Sequence, residues 1–385
     1  MSDEQIIITS ANSKAERAAF VDLGRRFSAA TPHSVPQLRS EQMELVDPAK
    51  NPFFEHARVQ LFIAHRAGRA VGRISAHIDE LALDLPEKQG FGPGTGMFGY
   101  FDAADESVGH ALLAKAEGWL RSEGMIRVLG PISMSIWEEP GLLTFGHDHP
   151  PMIMMGHHPA HYQGWIENNG YTVAKRLLTY ELDITRQFPP IVQRVIAASQ
   201  KSGKLTLRSA DKRRSADEMR IILDILNDAW SGNWGFVPIT DREIAHATKK
   251  LKPLIHPELV KIIELEGRPV AFMMTLPDIN DVLSEIDGKL LPFGWLKLLK
   301  WARKPMGSGM RVPLMGVLKE FHGTRMASAM AFLLVDSIRR NADEVFHSKR
   351  GEIGWILEDN QGMIAIADMI GSTINKEYLI YEKSL

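Results

Sequence analysis

Two stretches of this chain hold residue types that could do chemistry. In Val317-Leu-Lys-Glu-Phe-His-Gly-Thr-Arg-Met-Ala327 an apolar strand ends at Leu318 and a polar turn holds Gly323 and Thr324. Met326, Met330, Leu333, Leu334 and Ile338 then recur at helical spacing. Strand, turn and helix in that order leave unpaired N–H groups at the positive end of a helix, a way to hold a pyrophosphate without a metal. His322 and Arg325 add complementary charge. The second stretch, Gly130 to Tyr162, is rich in Pro, Gly and Met; it holds Glu139 and the histidines 147, 149, 157, 158 and 161. Long loops in compact domains are more often functional than accidental, and flexible Met side chains suit an irregular apolar ligand. A Met-filled core beneath a surface loop is the alternative. His157 and His161 have the i, i+4 spacing of a zinc pair, but Pro159 between them disfavours a regular helix. Proton exchange near neutral pH, by an imidazole or a carboxylate, suits these residue types better.

The elements that must position these groups repeat. Gly170-Tyr-Thr-Val-Ala-Lys-Arg-Leu-Leu-Thr-Tyr-Glu181 matches Gly371-Ser-Thr-Ile-Asn-Lys-Glu-Tyr-Leu-Ile-Tyr-Glu382 at one constant offset, sharing Gly, Thr, Lys, Leu, Tyr and Glu. The turn Gly68-Arg-Ala-Val71, between apolar runs 61–64 and 71–78, recurs as Gly267-Arg-Pro-Val270. Two copies of one α/β unit follow. Residues 6–8, 97–101 and 128–132 are predicted strands of the first copy, and 15–27 and 112–120 its helices. Pro189-Pro190 and a run of Lys and Ser mark a connector.

The copies differ at the turn. Where the second has His322 and Arg325, the first reads Phe101-Asp102-Ala-Ala-Asp105-Glu106-Ser107. Like charges about 4 Å apart cost about 4 kcal/mol at an effective dielectric near 20, so this turn should reject a diphosphate. The first copy is left to shape the other side of a shared cleft.

The 385 residues allow two domains with real cores, and a net charge of -2 predicts no bulk footprint for nucleic acid. Cysteine is absent, which excludes disulfides and thiol nucleophiles. The start is neither basic nor apolar and no run is long enough to span a bilayer, so the expected location is cytoplasmic. Residues 227–240 interleave Trp230 and Trp234 with Gly and small polar residues, as a ligand-facing loop or as core anchors. Leu290 to Lys304 sets Trp295, Leu298, Leu299 and Trp301 beside Lys297, Lys300, Arg303 and Lys304. That composition describes either an element lying on an anionic membrane, making the protein membrane-associated, or a buried helix with a basic rim.

Residues 317–327 also resemble the acyl-CoA-binding segment of the GNAT acyltransferase superfamily, whose loop reads Arg/Gln-x-x-Gly-x-Gly/Ala. Here His322 stands for the Arg or Gln, Arg325 replaces the inner Gly, and Ala327 fits. Ile353 to Leu357 then end in Glu358-Asp359-Asn360, and GNAT proteins place an Asn after that strand, beside the cofactor. With Gly130 to Tyr162, these segments make the chain similar to tandem GNAT-like acyltransferases of bacteria, a group with members that join acyl-CoA to a long-chain amine. The resemblance implies an α/β tandem duplication of the GNAT fold, with mixed sheets flanked by helices. A degenerate domain (1–184) would hold the acceptor, a linker (185–208) would follow, and a second domain (209–385) would bind acyl-CoA. It implies direct attack of a primary amine on the thioester, with acyl-CoA as co-substrate and no metal, and ceramide formation where the acceptor is a sphingoid base. Cofactor contacts then fall to Val317, Leu318, His322, Gly323, Thr324, Arg325, Met326, Ala327 and Asn360, with a backbone N–H at Val317 or Leu318 polarising the thioester carbonyl. Glu139, His157 and Tyr162 become base, relay and acid, because the helix from Gly362 lacks the Tyr with which GNAT enzymes often protonate the thiolate. A short-chain N-acetyltransferase acting on a small amine, or an inactive binding protein of the same fold, are the alternatives.

Overall fold

The computed structural model describes residues 5–385. Its first half runs β1 (Ile7–Ser10), α1 (Lys14–Ala30), α2 (Arg39–Leu45), β2 (Ala57–Arg66), β3 (Arg69–Asp79), α3 (Glu80–Leu83), β4 (Thr95–Ala103), α4 (Glu106–Ser122) and β5 (Arg127–Gly130). The short hairpin β6 (Ile132–Ser133) and β7 (Glu139–Pro140), β8 (Leu142–Phe145), α5 (His161–Asn168) and β9 (Thr172–Asp183) complete it. The second half runs α6 (Pro190–Ser202), β10 (Leu205–Ser209), α7 (Ser215–Trp230), α8 (Asp241–Leu251), β11 (Val260–Leu265), β12 (Arg268–Pro277), α9 (Ile279–Glu285) and α10 (Gly294–Arg303). It ends with β13 (Met310–Val317), α11 (Arg325–Glu344), β14 (Arg350–Leu357), α12 (Gln361–Met369) and β15 (Thr373–Ser384). Residues 185–208, expected as a connector, hold α6 and most of β10, and Val192 of α6 is fully buried.

The two repeated turns are alike in backbone. Ala67 and Gly68 (φ 49° and 72°) join β2 to β3, and Glu266 and Gly267 (φ 52° and 82°) join β11 to β12. Two successive positive φ values in a two-residue loop match the twist of an antiparallel hairpin, and glycine adopts the second without strain.

The strands form one mixed sheet in the order β1-β2-β3-β4-β5-β15-β9-β14-β13-β12-β11-β10, with β8 added beside β15. Alternation along each strand splits the core between two faces. Phe62 and Ala64 of β2 pack with α4, whereas Leu61 and Ile63 pack with α1. In the second half Ile263 and Met273 join the core of α11, and Ile262 and Phe272 that of α7.

At the centre the repeat pairs with itself. Thr172 lies opposite Glu382, and its counterpart Thr373 lies opposite Glu181, so β9 and β15 run antiparallel about a local two-fold axis. Each closing strand is bonded to the other half: β9 to β14, and β15 to β5. This exchange, which the repeat alone does not disclose, makes the halves one body. Lys376 of β15 reaches Glu352 of β14 at 2.5 Å, both almost fully buried, and Asn375 bonds the same carboxylate at 2.8 Å.

Candidate active site

The parallel strands β13 and β14 pair over only three residues, ending at Val312 opposite Ile353, and then diverge. Their facing edges wall a narrow slot that reaches Asn360 and Met363. Leu318 N–H donates to Val270 O on the β12 side. Alternation in an antiparallel pair therefore turns the main-chain groups of Met315 and Val317 toward the slot. Trp230 Nε1–H donates to Met315 O at 3.0 Å and His322 Nε2–H to Val317 O at 2.7 Å. Between Val317 and Leu318, the N–H of Val317 thus faces the slot, while that of Leu318 is occupied by Val270. Beyond β13, Gly323 takes φ 74° and Thr324 caps α11 by accepting from Ala327 N–H at 3.2 Å. The N–H groups of Arg325 and Met326, which have no acceptor within the helix, remain at its positive end. Asn360 caps α12 in the same way, accepting from Met363 N–H at 3.1 Å.

The slot opens beside Trp230, Pro313 and Trp355 into a cavity of about 880 Å³ between the halves. Trp137 from the first half stacks on Trp230 at 6.0 Å and 9° at this junction. The cavity floor is the β6–β7 hairpin, which presents Glu138 and Glu139. Glu138 is exposed and Glu139 partly so, and the surrounding protein raises both carboxyls. Burial pushes Glu139 up to about 7. Among the described residues Glu138 has no hydrogen-bond partner, and Glu139 has one close charged neighbour, His158 Nε2 at 3.8 Å. His158 Nδ1 accepts from Leu143 N–H at 3.2 Å, so the ring proton sits on Nε2 and faces Glu139. Desolvation lowers His158 to about 3, which keeps it neutral.

One wall of the cavity is α8, which buries no residue of its own and is strapped to the first half by charge. His56 lies between Asp79 (2.9 Å) and Glu243 (3.1 Å), and their hydrogen bonds raise it to about 10. His246 meets Glu44 at 3.3 Å, and Arg242 meets Glu55 at 2.6 Å. On the opposite side Arg311, fully buried, donates to Ile153 O (2.8 Å) and to Gly354 O (3.0 Å), tying the 151–156 loop to the slot.

The fold brings Glu139 and His157 to the cavity together, but not Tyr162. Tyr162 is buried against α4, its hydroxyl accepting from Ala103 N–H (3.1 Å) and donating to Ala103 O (3.3 Å). His157 donates from Nε2 to Pro32 O at 2.9 Å, and desolvation lowers it to about 4. The partner of Glu139 is therefore the adjacent His158, which the sequence offered only as one of five; the bond from Leu143 that fixes its tautomer appears only in three dimensions. His161 opens α5 and packs on Trp165 at 4.4 Å, well separated in role from His157.

In the first half the corresponding opening is filled by the chain itself. Strands β4 and β5 pair up to Met97 opposite Leu129 and then separate, and Ser133 Oγ accepts from Tyr100 N–H at 3.1 Å in the gap. A Cβ on Gly99 would lie 2.1 Å from Ile132 O, so the plug is seated without space to spare. At the helix beyond, Asp105 accepts from Val108 N–H and pairs with Arg66 at 2.6 Å, placing a carboxylate where α11 offers only a neutral hydroxyl. Asp102 pairs with Arg73 at 2.7 Å.

No protein-family model matches the chain. It is 41% identical over 373 residues to the bacterial ceramide synthase of Caulobacter vibrioides, covering 96% of this chain and 95% of that one. It is also 37% identical over 381 residues to protein YghO of Escherichia coli, covering 97% and 94%. Among solved structures it overlays a tandem GNAT protein from the clavulanic acid biosynthesis pathway with a TM-score of 0.57 at 11% identity, covering 99% and 98% of the two chains. A GCN5-related N-acetyltransferase from Sphaerobacter thermophilus gives 0.52 at 13% identity, covering 100% and 96%. Likeness of shape at so low an identity establishes the fold, and the long matches above 30% identity establish the kinship: the chain belongs to the tandem GNAT-fold acyltransferase family that includes the bacterial ceramide synthase.

Proposed function

We propose that the protein transfers an acyl group from acyl-CoA to the primary amine of a long-chain lipid such as a sphingoid base, forming an amide and free CoA. The observation that carries this reading is the junction at Trp230, Pro313 and Trp355, where a slot walled by unpaired main-chain edges opens into a largely apolar cavity floored by the carboxylates of Glu138 and Glu139. The pantetheine arm of CoA carries amides that can pair with those edges as an added strand would. Its diphosphate would lie at the start of α11, with His322, Gly323, Thr324, Arg325, Met326 and Ala327 around it and Asn360 beside the arm. Only the second half would take the cofactor, because Ser133 and Asp105 fill the equivalent places in the first. The division expected from sequence, with residues 1–184 as the acceptor side and 209–385 as the acyl-CoA side, is retained in that sense.

The chemistry is a direct displacement. An ammonium held by Glu138 loses a proton to Glu139, oriented by the Nε2–H of His158, and the neutral nitrogen attacks the thioester carbon. The oxygen develops negative charge against Val317 N–H. Attack forms the C–N bond, collapse of the tetrahedral intermediate re-forms the carbonyl and breaks C–S, the second nitrogen proton is lost to water, and the sulfur leaves as thiolate. A thiol with pKa about 8.5 needs little help to leave, so Tyr162 is not needed as acid in this scheme.

A cavity of about 880 Å³ lies near the top of the range of about 300–1,000 Å³ for small-molecule sites, enough for an aliphatic chain. The test is thiol release with product mass, using acetyl-CoA and palmitoyl-CoA against sphinganine, hexylamine, amino acids and polyamines. Acylation of long-chain amines is expected; a protein that acylated only amino acids or polyamines would refute the lipid acceptor.

A further inference from the structure

Helix α10 buries no residue, and the turn before it exposes large apolar side chains. Leu291 is 80% and Phe293 70% exposed, followed by Trp295, Leu296 and Leu299. From Gly288 to Met310 the chain has no carboxylate and five cations, Lys289, Lys297, Lys300, Arg303 and Lys304. The buried helix with a basic rim, one option from sequence, is therefore not what forms. On the helical wheel Leu298 and Ala302 line the cavity, Trp295 and Leu299 continue the apolar sector outward, and Arg303 separates Leu299 from Leu296. Lys297, Lys300 and Lys304 lie beyond it. Trp301 holds the helix from the inner side, donating to Ser308 Oγ at 2.7 Å. One apolar strip thus runs from the cavity rim through Trp295 and Leu299 to the protein surface, flanked by cations.

We infer that residues 290–304 dock on an anionic phospholipid bilayer and that the acceptor passes from that bilayer into the cavity along the rim at Leu298 and Ala302. This rests on the reading of the acceptor as a lipid amine. The occupant follows from chemistry: a second protein could cover the apolar residues, but an excess of cations, with Lys289 and Lys297 paired to Asp287 and Glu285 and Lys300, Arg303 and Lys304 in addition, beside an apolar strip matches acyl chains below anionic headgroups. A long-chain amine is scarcely soluble as a monomer. A cavity whose rim lies in the interface would spare it the transfer through water.

The test uses the full chain and two variants whose altered residues do not line the cavity. Leu291→Asp/Phe293→Asp/Leu296→Asp removes the apolar wedge, and Lys297→Glu/Lys300→Glu/Lys304→Glu inverts the charge. Co-sedimentation is measured with phosphatidylcholine vesicles with and without phosphatidylglycerol. The wild type is expected on the anionic vesicles, with binding weakened about fivefold per cation removed and by raised salt. Transfer from palmitoyl-CoA to vesicle-embedded sphinganine should fall about tenfold or more in both variants, and transfer to soluble hexylamine should stay unchanged. Wild-type protein that ignores anionic vesicles, or variants that keep the full rate on embedded amine, would overturn the inference. So would a dimer that the triple Asp variant splits while vesicle binding persists, since a second copy would then cover the strip. Absence of thiol release with every amine would instead defeat the catalytic reading, and the sedimentation result would still decide the docking.

Discussion

Replacing Glu139 with Gln keeps the shape of the site and removes the carboxylate proposed as its base. Burial raises the carboxyl from 4.5 to about 7. At that value about a tenth of the side chain is ionised near pH 6, whereas an unshifted carboxyl would be almost wholly ionised. With both substrates saturating, kcat of the wild type is expected to climb about tenfold from near pH 6 to a plateau above pH 8. Gln should lower that plateau by about a hundredfold or more and abolish the limb near 7, leaving KM for acyl-CoA unaltered. Stability should move the opposite way. A folded-state pKa above the unfolded one means that the native protein holds the proton more tightly between about 4.5 and 7, so stability falls as pH rises through that window. The Gln variant, with no charge to hold in the cavity, should melt at a higher temperature than wild type near pH 8 and at the same temperature near pH 4. Stopped assays across pH with thermal melts at the same points give both readings. A variant within threefold of wild type at the plateau, or a wild-type limb near 4.5, would refute the assignment.

Tyr162→Phe should lose about 1 kcal/mol in chemical denaturation, from its bonds to Ala103, with kcat unchanged; a hundredfold loss of kcat would restore it as acid. Lys376→Met leaves Glu352 charged and buried, and should cost about 3–5 kcal/mol, part of it regained by adding Glu352→Gln. Thr324→Val removes the cap of α11; about 1 kcal/mol of stability and a severalfold higher KM for acyl-CoA are expected in denaturation and steady-state assays. His56 is raised to about 10, so its contribution is complete below its unfolded value near 6.5 and is lost as pH rises through 10. Thermal melts from pH 7 to 10.5 should show that loss in the wild type and not in His56→Gln.

The sequence exposed the elements whose signals are local. Both Gly-containing hairpins, the strand before Lys319, the turn at Gly323 and the paired segments at 170–181 and 371–382 were all legible, because each depends on side-chain period or on a backbone angle that few residues adopt. What stayed hidden depends on which edge meets which. Equivalent copies of a strand carry the same pattern whether they close their own half or the other, so the placement of β15 against β5 left no mark. His157 and His158 likewise differ in no property of sequence; the bond from Leu143 separates them. Tyr162 drew attention as a polar aromatic in an unusual loop, yet its hydroxyl caps the main chain at Ala103. The acidic turn at Asp102 and Asp105 was read as repulsion, and both carboxylates prove to be neutralised by arginines. Their effect is occupancy, since Asp105 fills the helix terminus that a diphosphate would need.

The asymmetry between the halves has a single structural origin. The segment that plugs the first slot and the one that delivers the carboxylates are the same hairpin: Ser133, bonded to Tyr100 in the gap, lies opposite Glu139 in the β6–β7 register. An empty first slot would leave that hairpin without its anchor, and Glu139 without a fixed distance to the second slot. Closing one slot is therefore the structural condition for placing Glu139 beside the other. A duplicated fold with two open slots would lack this hairpin support, whereas one with a plugged slot can present a carboxylate from one half beside the open slot of the other. The exchange of β9 and β15 keeps that distance fixed, because the strands that join the halves are also those on which Tyr378 holds Gly156 O at 3.1 Å, next to His157 and His158.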